Sequence, residues 1–483
     1  FFSSRRRHTR YGTVTGVQTC ALPISTHSPY KPAANFTIGN LQRIFKDIEE
    51  ESWEYGSDLK VPFEPWDKEK GYFKLGLFED RVHRTFDQDT FSNFGDNSTY
   101  AGPFNDAWSQ SFPTQNHPIT ASNLDVDYDA DQVISAAYAM VDLPILKDVH
   151  LIGGARLENT SIDIVNSPDP GATWFPPGSS APTVLNPGDA DVSFDEARIL
   201  PSIGLNYRPI KPVTLRASFS ETLARQTFKE LTPIIQQEYL GGPIFIGNPD
   251  LEMSSLRNYD LRAEYSPFEG SIFALSWFRK DVKKPIEYVQ TLGIFDYTTA
   301  RNYPTGKLDG IEVEARQGLG ELWDPLEGVG IGVNATFLNS QVNLPEDEIA
   351  GFNLPNIRAP MTSRDMTNAP DHLYNAFLTY DVPGWGTQLG AFYTVTGDTL
   401  IAGAGQTLSN YVPNVYMAQY DTLNVSLAQG IGKYFKVLLQ GKNLTNPDIR
   451  TVYRSEYIGG DVTKTSSSKG AEFQIALTFE VKF

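Results

Sequence analysis

Few residues of this 483-residue chain have the types and the spacing that catalysis requires. The sequence has neither G-x-S-x-G, which presents a nucleophilic serine, nor the zinc-binding H-E-x-x-H. His83, His117, His150 and His372 lie far apart and lack the spacing of metal ligands. A membrane-embedded hydrolase would need a serine close to a histidine, and no serine is paired with His150. The sequence therefore predicts no enzyme and no cofactor.

Four aspartates alternate from Asp125 to Asp131, which is one feature of a calcium-binding loop. An EF-hand loop also needs glycine at its sixth position and glutamate at its twelfth, where this chain has Ala130 and Ala136. Alternation along a strand would instead place the four carboxylates on one solvated face. We expect no metal site.

Charged residues recur at every second position of several long segments that otherwise alternate with apolar residues. Because successive side chains of a strand point to opposite faces, these charges would share one face. A wide barrel with a wet lumen accommodates that arrangement, whereas a packed sandwich core does not. We expect a charge network on the lumen wall, with attraction of an anionic substrate as the alternative role. The predicted lumen-facing residues are Arg156, Glu158, Arg216, Arg262, Glu264, Glu314 and Arg316.

Two long segments between strands contain candidate ligand contacts. Trp174 and Phe175 lie in a segment rich in glycine and proline, and Gln237 and Tyr239 lie in another. Exposed aromatic side chains can stack on sugars or catechols, so we treat these four as candidates. The alternative is a loop that packs on itself or on the rim of a barrel.

The last thirteen residues, 471–483, show the clearest strand pattern. Phe473, Phe479 and Phe483 lie on one face together with aliphatic residues, and polar residues and alanine occupy the other face. The segment is about twice the usual strand length and close to the 9 to 11 residues that cross a bilayer. Aromatic residues at both ends of the apolar face are typical of membrane-interface girdles. The alternative is a long closing strand of a soluble sandwich.

Long alternating segments fill the chain upstream, and we count about fifteen strands. Short connections alternate with long ones, as in outer-membrane barrels. The only break in this alternation is near Thr291, because 271–289, with a bend at Pro285, and 296–317 read as two continuous strands. Residues 25–51 read as an external loop, in which Phe36–Glu51 has helical spacing and is assigned as a short helix or turn.

The net charge argues against one class of partner, and a sequence match indicates that the start of the chain does not belong to the protein. The formal net charge is −18, which argues against a nucleic-acid partner. Residues 14–24 match the translation of a common sequencing-library adapter, and we expect 1–24 to be an assembly artefact. That segment contains four arginines, no acid and the only cysteine, Cys20. The remainder is therefore four units more negative, and it has no cysteine.

Several motifs, taken in order, resemble the barrel of TonB-dependent outer-membrane receptors, over about residues 52–483. The individual motifs are short, and their order along the chain carries the resemblance. They are S-E-T-L-A-R-Q-T-F-K-E-L at 220–231, G-N-P-D-L at 247–251, G-G-A-R-L-E at 153–158, G-I-E-V-E at 310–314, and G-K-N-L-T-N at 441–446.

The resemblance implies an all-β fold, a transmembrane antiparallel β-barrel of 22 strands that encloses an amino-terminal plug. About fifteen strands are present here, with no plug and no TonB-recruiting box, so we expect a carboxy-terminal fragment. The resemblance further implies active uptake of a scarce nutrient, such as a siderophore, cobalamin or an oligosaccharide, at the outer membrane of a Gram-negative bacterium. The implied partners are outer-membrane lipid, the TonB complex through the missing part, and the barrel-assembly machinery through the terminal strand.

Two other classes of protein remain open from the sequence. One is a porin-like barrel without a plug, and the other is a secreted β-rich module that binds glycans.

Overall fold

The computed structural model describes most of the chain outside its first forty residues. The described residues are 4–10, 42–65, 69–92, 120–121, 125–177, 179, 181–237, 244–293, 296–357, 359–407, 410–432 and 434–479. The candidate contact Tyr239 and the terminal Phe483 lie outside them, as do His117 and most of segment 25–51.

Fifteen long strands form the main body of the described chain, which we call the wall. Their bounds are β1 Gln42–Phe63, β2 Gly71–Ser92, β3 Val126–Leu146, β4 Val149–Pro168, β5 Val192–Ile210, β6 Val213–Ala224, β7 Ser254–Tyr265, β8 Ile272–Lys283, β9 Thr305–Gly318, β10 Val329–Asn343, β11 His372–Val382, β12 Thr387–Thr396, β13 Tyr420–Ile431, β14 Phe435–Lys442 and β15 Glu472–Phe479.

Each wall strand pairs antiparallel with the next one along the chain, so the wall is a continuous meander. The same sheet includes Ser4–Arg10 beside β1, and the two-residue strands Thr120–Ala121 and Ser363–Arg364. Short connections such as 147–148 and 211–212 lie at one end, and long connections lie at the other end. The predicted number of long strands and the predicted alternation are both confirmed.

The two faces of the wall differ in chemistry. On β4, Leu157 is 53% exposed, whereas Ile162 and Ile164 are buried against the long connections. The register carries this alternation across the sheet, so that Leu261, Trp277, Ile311 and Phe337 are successive neighbours on the face of Leu157. We call this the outer face and the opposite one the inner face. An outer face of exposed apolar side chains suits contact with lipid.

The predicted helix or turn at Phe36–Glu51 is wrong where the chain is described, because 42–51 belong to β1. Ile44 and Ile48 are four residues apart, a spacing that fits one turn of a helix and also one face of a strand. Pairing decides between the two, since Ile44 lies opposite Thr90 and Ile48 opposite Phe86 along a 22-residue ladder.

The predicted continuous strands 271–289 and 296–317 are also wrong. β8 ends at Lys283 and β9 begins at Thr305, and between them a separate hairpin pairs Ile286–Leu292 with Asp296–Asn302. Lys284 has a φ of 52°, and Pro285 and Pro304 have no N–H to donate, so the wall ladder stops there. The connection is therefore long, and the alternation of connection lengths has no exception among the fifteen wall strands.

The long connections together form a cap on the wall, which we call the crown. One crown sheet contains Ile235–Gln237, Ile244–Ile246 and the 286–302 hairpin. A second contains Thr399–Ala402, Asn414–Met417, Ile449–Arg454 and Val462–Ser467. Two short pairs, Thr173–Trp174 with Thr183–Val184 and Gly405–Gln406 with Tyr411–Val412, complete its strands.

Helices are short and few in the described part of the chain. The crown has α1 at Phe228–Leu231, with a capping box from Thr227 and Glu230, and α2 at Glu346–Phe352. Two 3-10 turns, Leu319–Glu321 and Asp324–Leu326, lie in the connection between β9 and β10. No described helix has the length and the apolar character needed to cross a membrane.

Candidate functional site

A cavity of about 750 Å³ lies inside the crown, where five long connections meet. Its size falls within the range of pockets that enclose small molecules. The walls come from residues 175–177 and 179, residues 246–248, the 286–302 hairpin, α2 and residues 404–407. The side chains that the following argument uses are Phe175, Val289, Thr291, Tyr297, Thr299, Arg301, Asp347 and Glu348.

The hairpin presents one face to this cavity. Directly opposite residues of an antiparallel pair share a face, and Val289 lies opposite Thr299, Thr291 opposite Tyr297 and Glu287 opposite Arg301. The cavity wall therefore combines an aliphatic side chain, hydroxyl groups, an aromatic ring and one cation.

Arg301 is held in place by the first turn of α2. Its guanidinium donates to Asp347 Oδ2 at 2.8 Å and to Glu348 Oε1 at 2.9 Å. The cation is thus neutralised within the cavity wall, and the second carboxylate leaves these three groups with a net negative charge.

A buried polar network extends behind Arg301. Tyr303 donates to Glu348 Oε2 at 2.6 Å, and Arg364 donates from Nη2 to the Tyr303 hydroxyl at 2.7 Å. The guanidinium of Arg364 also lies over the Tyr303 ring, 4.7 Å from its centre. Within the described structure, Nε and Nη1 of Arg364 are buried and have no hydrogen-bond partner.

Glu287 adds a second buried acid to this network. Its side chain is 1% exposed, and its Oε2 accepts the Thr367 N–H at 2.8 Å. Burial disfavours the charged form and raises the pKa of Glu287 to about 7, although the Thr367 N–H and the charge of Arg364 oppose the shift.

The raised pKa predicts that the crown loses stability between about pH 5 and pH 8. The native carboxyl holds its proton more tightly than the unfolded one, so its stabilising contribution is complete below the ordinary value of 4.5 and is lost as the pH rises through 7. The full change is about 3 kcal/mol at 1.4 kcal/mol per pKa unit. Hydrogen exchange of residues 286–302 across this pH range measures it.

Glu287→Gln should flatten that pH dependence, because glutamine does not titrate. Glu252→Gln is the matched control, since Glu252 is exposed and pairs with Lys284 in the same region. If the slope persists in the Glu287 variant, or disappears in the control as well, Glu287 is not its source.

The structure places the predicted loop aromatics in packed surroundings. Trp174 and Phe175 are 7% and 6% exposed, which fits the alternative of a loop that packs on itself or on the rim, and their role as ligand contacts stays a prediction. Trp174 packs in the apolar core under the crown, and the Phe175 ring lies 5.1 Å from that of Tyr297 beside the cavity. The loop packs against its surroundings because removal of the apolar ring surfaces from water is favourable. Gln237 ends the crown strand Ile235–Gln237, opposite Ile244.

The predicted lumen-facing residues all lie on the inner face, and most of them are connected. Arg156 donates to Glu158 at 2.6 Å, and Glu158 also accepts from Arg225, which the sequence analysis missed. Arg262 bridges Glu264 at 3.3 Å and Glu314 at 2.9 Å. Arg216 pairs with Glu264 at 3.3 Å, and Arg316 follows Glu314 at the next inner position.

The terminal strand presents the predicted apolar face. Phe473 and Phe479 are 76% and 61% exposed on the outer side of β15. Phe479 lies opposite Phe435 of β14, with ring centres 5.1 Å apart. Their role at a membrane interface stays a prediction.

The sequence analysis does not identify the cavity residues Arg301 and Glu348, or Tyr303 and Arg364 in the network behind them. The available signal was the pair of prolines, Pro285 and Pro304, which separates an independent hairpin from the wall. No group of three or more metal-binding side chains is close enough to hold an ion among the described residues.

A meander with an apolar outer face, a charged inner face and a cap of long connections defines a membrane β-barrel. The model of the family "TonB dependent receptor-like, beta-barrel" matches residues 6–444. The chain belongs to this family, whose members are receptors and transporters and not enzymes. The match begins at residue 6, inside segment 1–24, so it does not test the expectation that this segment is an assembly artefact.

Solved structures share the fold at low sequence identity. The ferric yersiniabactin uptake receptor FyuA from Yersinia pestis is 12% identical with a TM-score of 0.52, covering 91% of this chain and 57% of that one. FpvA from P. aeruginosa, bound to pyoverdine, is 12% identical with a TM-score of 0.54 and coverages of 93% and 50%. The copper transporter OprC is 13% identical with a TM-score of 0.53 and coverages of 90% and 57%.

The chain thus spans about half the length of these solved structures. Comparison with curated protein sequences found no match.

Proposed function

We propose that this chain is barrel sequence of an outer-membrane receptor that takes up a scarce nutrient with energy delivered through TonB. The observation that carries the proposal is the crown cavity, which opens among the long connections of a wall that belongs to this receptor family. In this proposal the nutrient is captured between the 286–302 hairpin and α2. The ion-paired inner face forms the wall of the path beneath it.

The charge of the cavity bears on the ligand class. Arg301 is already engaged by Asp347 and Glu348, and the three groups together are negative. A strongly anionic chelate would meet repulsion there, whereas an uncharged ligand with many hydroxyl groups finds acceptors and donors. Among siderophores, cobalamin and oligosaccharides, we therefore place uncharged ligands first.

Filling the cavity should weaken binding without unfolding the protein. Thr299 lies in the cavity wall, and Thr299→Trp would occupy space that the ligand needs. We expect the affinity to fall by about tenfold or more, the factor that 1.4 kcal/mol represents. Calorimetry on the purified full chain with maltohexaose, cyanocobalamin and ferric citrate measures it.

Thr463→Trp is the matched control, because Thr463 is exposed on the second crown sheet and does not line the cavity. If both variants bind equally well, the cavity is not the capture site. Uptake of the bound ligand by producing cells with and without TonB tests the energy source. An equal rate of uptake in cells with and without TonB would indicate a passive porin.

A further inference from the structure

Four adjacent strands of the wall, β10 to β13, present an inner face that is almost free of charge. Its residues are uncharged at every position except Asp381, which lies near the end of β11 beside a short connection. The inner face of β7 to β9, in contrast, carries Asp260, Arg262, Glu264, Lys280, Glu312, Glu314 and Arg316. We call the inner face of β10 to β13 the uncharged sector.

Amide and hydroxyl groups form a continuous row across the uncharged sector. Asn334, Asn375 and Thr394 are direct neighbours on β10, β11 and β12, and Thr422 continues the row on β13. Asn375 donates from Nδ2 to Asn334 Oδ1 at 2.8 Å, and Thr394 donates from Oγ1 to Asn375 Oδ1 at 2.8 Å. Such groups both donate and accept, so they can bind the hydroxyl groups of a ligand without the separation of an ion pair.

Two phenylalanines lie in the next row towards the short connections. Phe377 and Phe392 are direct neighbours on β11 and β12, with ring centres 6.3 Å apart and an angle of 32° between the ring planes. Gly332 lies opposite Phe377 on β10, where an added Cβ would collide with the ring, so glycine lets the ring approach the strand closely. Phe392 is 42% exposed. An apolar ring that stays exposed on a polar face is available to stack on a ligand.

The uncharged sector is connected to the crown cavity through the chain. α2 and residues 404–407 line the cavity, and they belong to the connections between β10 and β11 and between β12 and β13. At β2 to β4 the crown packs directly on the inner face, because Phe86, Tyr128 and Ile162 belong to one apolar cluster with Trp174. No described residue of β11, β12 or β13 belongs to an apolar cluster of this kind. The inner face is therefore open on the side of the uncharged sector.

We propose that the uncharged sector is a second binding site, on which a neutral oligosaccharide lies after it leaves the crown cavity. This inference rests on the proposed uptake function. Phe377 and Phe392 stack on the C–H faces of sugar rings, and the row of Asn375 and Thr394 binds the hydroxyl groups beside them. The sector at β7 to β9 suits such a ligand less, because Arg262 is already engaged by two acids.

Photo-crosslinking of the full chain in detergent, with a diazirine derivative of maltohexaose, tests the proposal. Peptide mapping should find label on β10 to β13 as well as on the 286–302 hairpin, and unlabelled maltohexaose should compete at both places. Phe392→Leu should reduce the label on β10 to β13 by about twofold to tenfold, the range expected for the loss of one ring contact. Phe392→Tyr keeps a ring and should keep the label.

Phe337→Leu is the matched control for the ring contact. Phe337 is 49% exposed on the outer face of β10, so the same substitution there should leave the label on the inner face unchanged. Heat-modifiable gel mobility checks that each variant is folded. If Phe392→Leu is not folded, the label on β10 to β13 relative to that on β7 to β9 in the unmodified chain decides.

Thr299→Trp separates this inference from the proposed capture site, since it should reduce the label on the hairpin and leave the label on β10 to β13. Label on the hairpin alone would overturn the second site and leave the proposed function intact. Equal label on β7 to β9 and on β10 to β13, or an unchanged yield in folded Phe392→Leu, would also overturn it. Label at neither place would contradict both proposals for this ligand class.

Discussion

Glu158→Ala is expected to destabilise the wall by about 3 to 5 kcal/mol, the cost of leaving buried charges unpaired. Glu158 is 6% exposed on the inner face and accepts from both Arg156 and Arg225. Arg225 also donates to Thr160 at 2.9 Å, so the pair ties the end of β6 to β4 across β5. Alanine removes the shared anion and leaves two guanidinium groups facing each other. Urea unfolding of the reconstituted protein measures the loss.

Glu314→Ala is the matched control for this prediction. Glu314 also accepts from an inner-face arginine, Arg262, but its side chain is 39% exposed. Water replaces a lost partner at an exposed site, so we expect a loss of about 1 kcal/mol or less. Equal losses in the two variants would show that burial does not set the strength of the inner-face network.

Arg364→Met is expected to loosen the crown by a similar amount, about 3 to 5 kcal/mol. The guanidinium is 7% exposed, donates to Tyr303 and lies against Gly403, where an added Cβ would collide with it. Without this cation, Glu287 stays buried, and of the groups that oppose the rise of its pKa only the backbone and side chain of Thr367 remain. Hydrogen exchange of the 286–302 hairpin and α2 should therefore accelerate together.

Arg450→Met is the comparison for Arg364, since Arg450 is an exposed arginine of the second crown sheet. We expect its exchange rates to stay close to those of the unmodified protein. If Arg364→Met leaves exchange of the hairpin unchanged, the buried network does not hold the crown together.

The wall could be predicted from the sequence because its signal is local. Period-two alternation in β7 or β15 is visible in about ten residues. The apolar residues of a single strand are enough to predict which of its two faces points outward. The inner-face charges follow from the same alternation. The alternation predicts that Arg262, Glu264 and Glu314 share one face, and in the structure Arg262 pairs with both acids.

The crown could not be predicted because its contacts join residues far apart in the chain. Arg301 meets Glu348 from 47 positions away, and Arg364 meets Tyr303 from 61 positions away. The hairpin of residues 286–302 has the same alternation as the wall, so periodicity alone merged it with β8 and β9. The glycine and proline around Trp174 predict that it lies in a loop, but only the three-dimensional packing shows that its ring is buried.

The most direct test of the central claim, a wall with a lipid-facing outer face and a wet inner face, uses nitroxide labels on β9. With Cys20 replaced by serine, single cysteines at Ile311, Glu312, Val313 and Glu314 are labelled in reconstituted membranes. We predict that oxygen collides more with the labels at 311 and 313 and that a water-soluble nickel chelate collides more with those at 312 and 314, because only Ile311 and Val313 lie on the outer face. The same accessibility at all four positions would contradict the account.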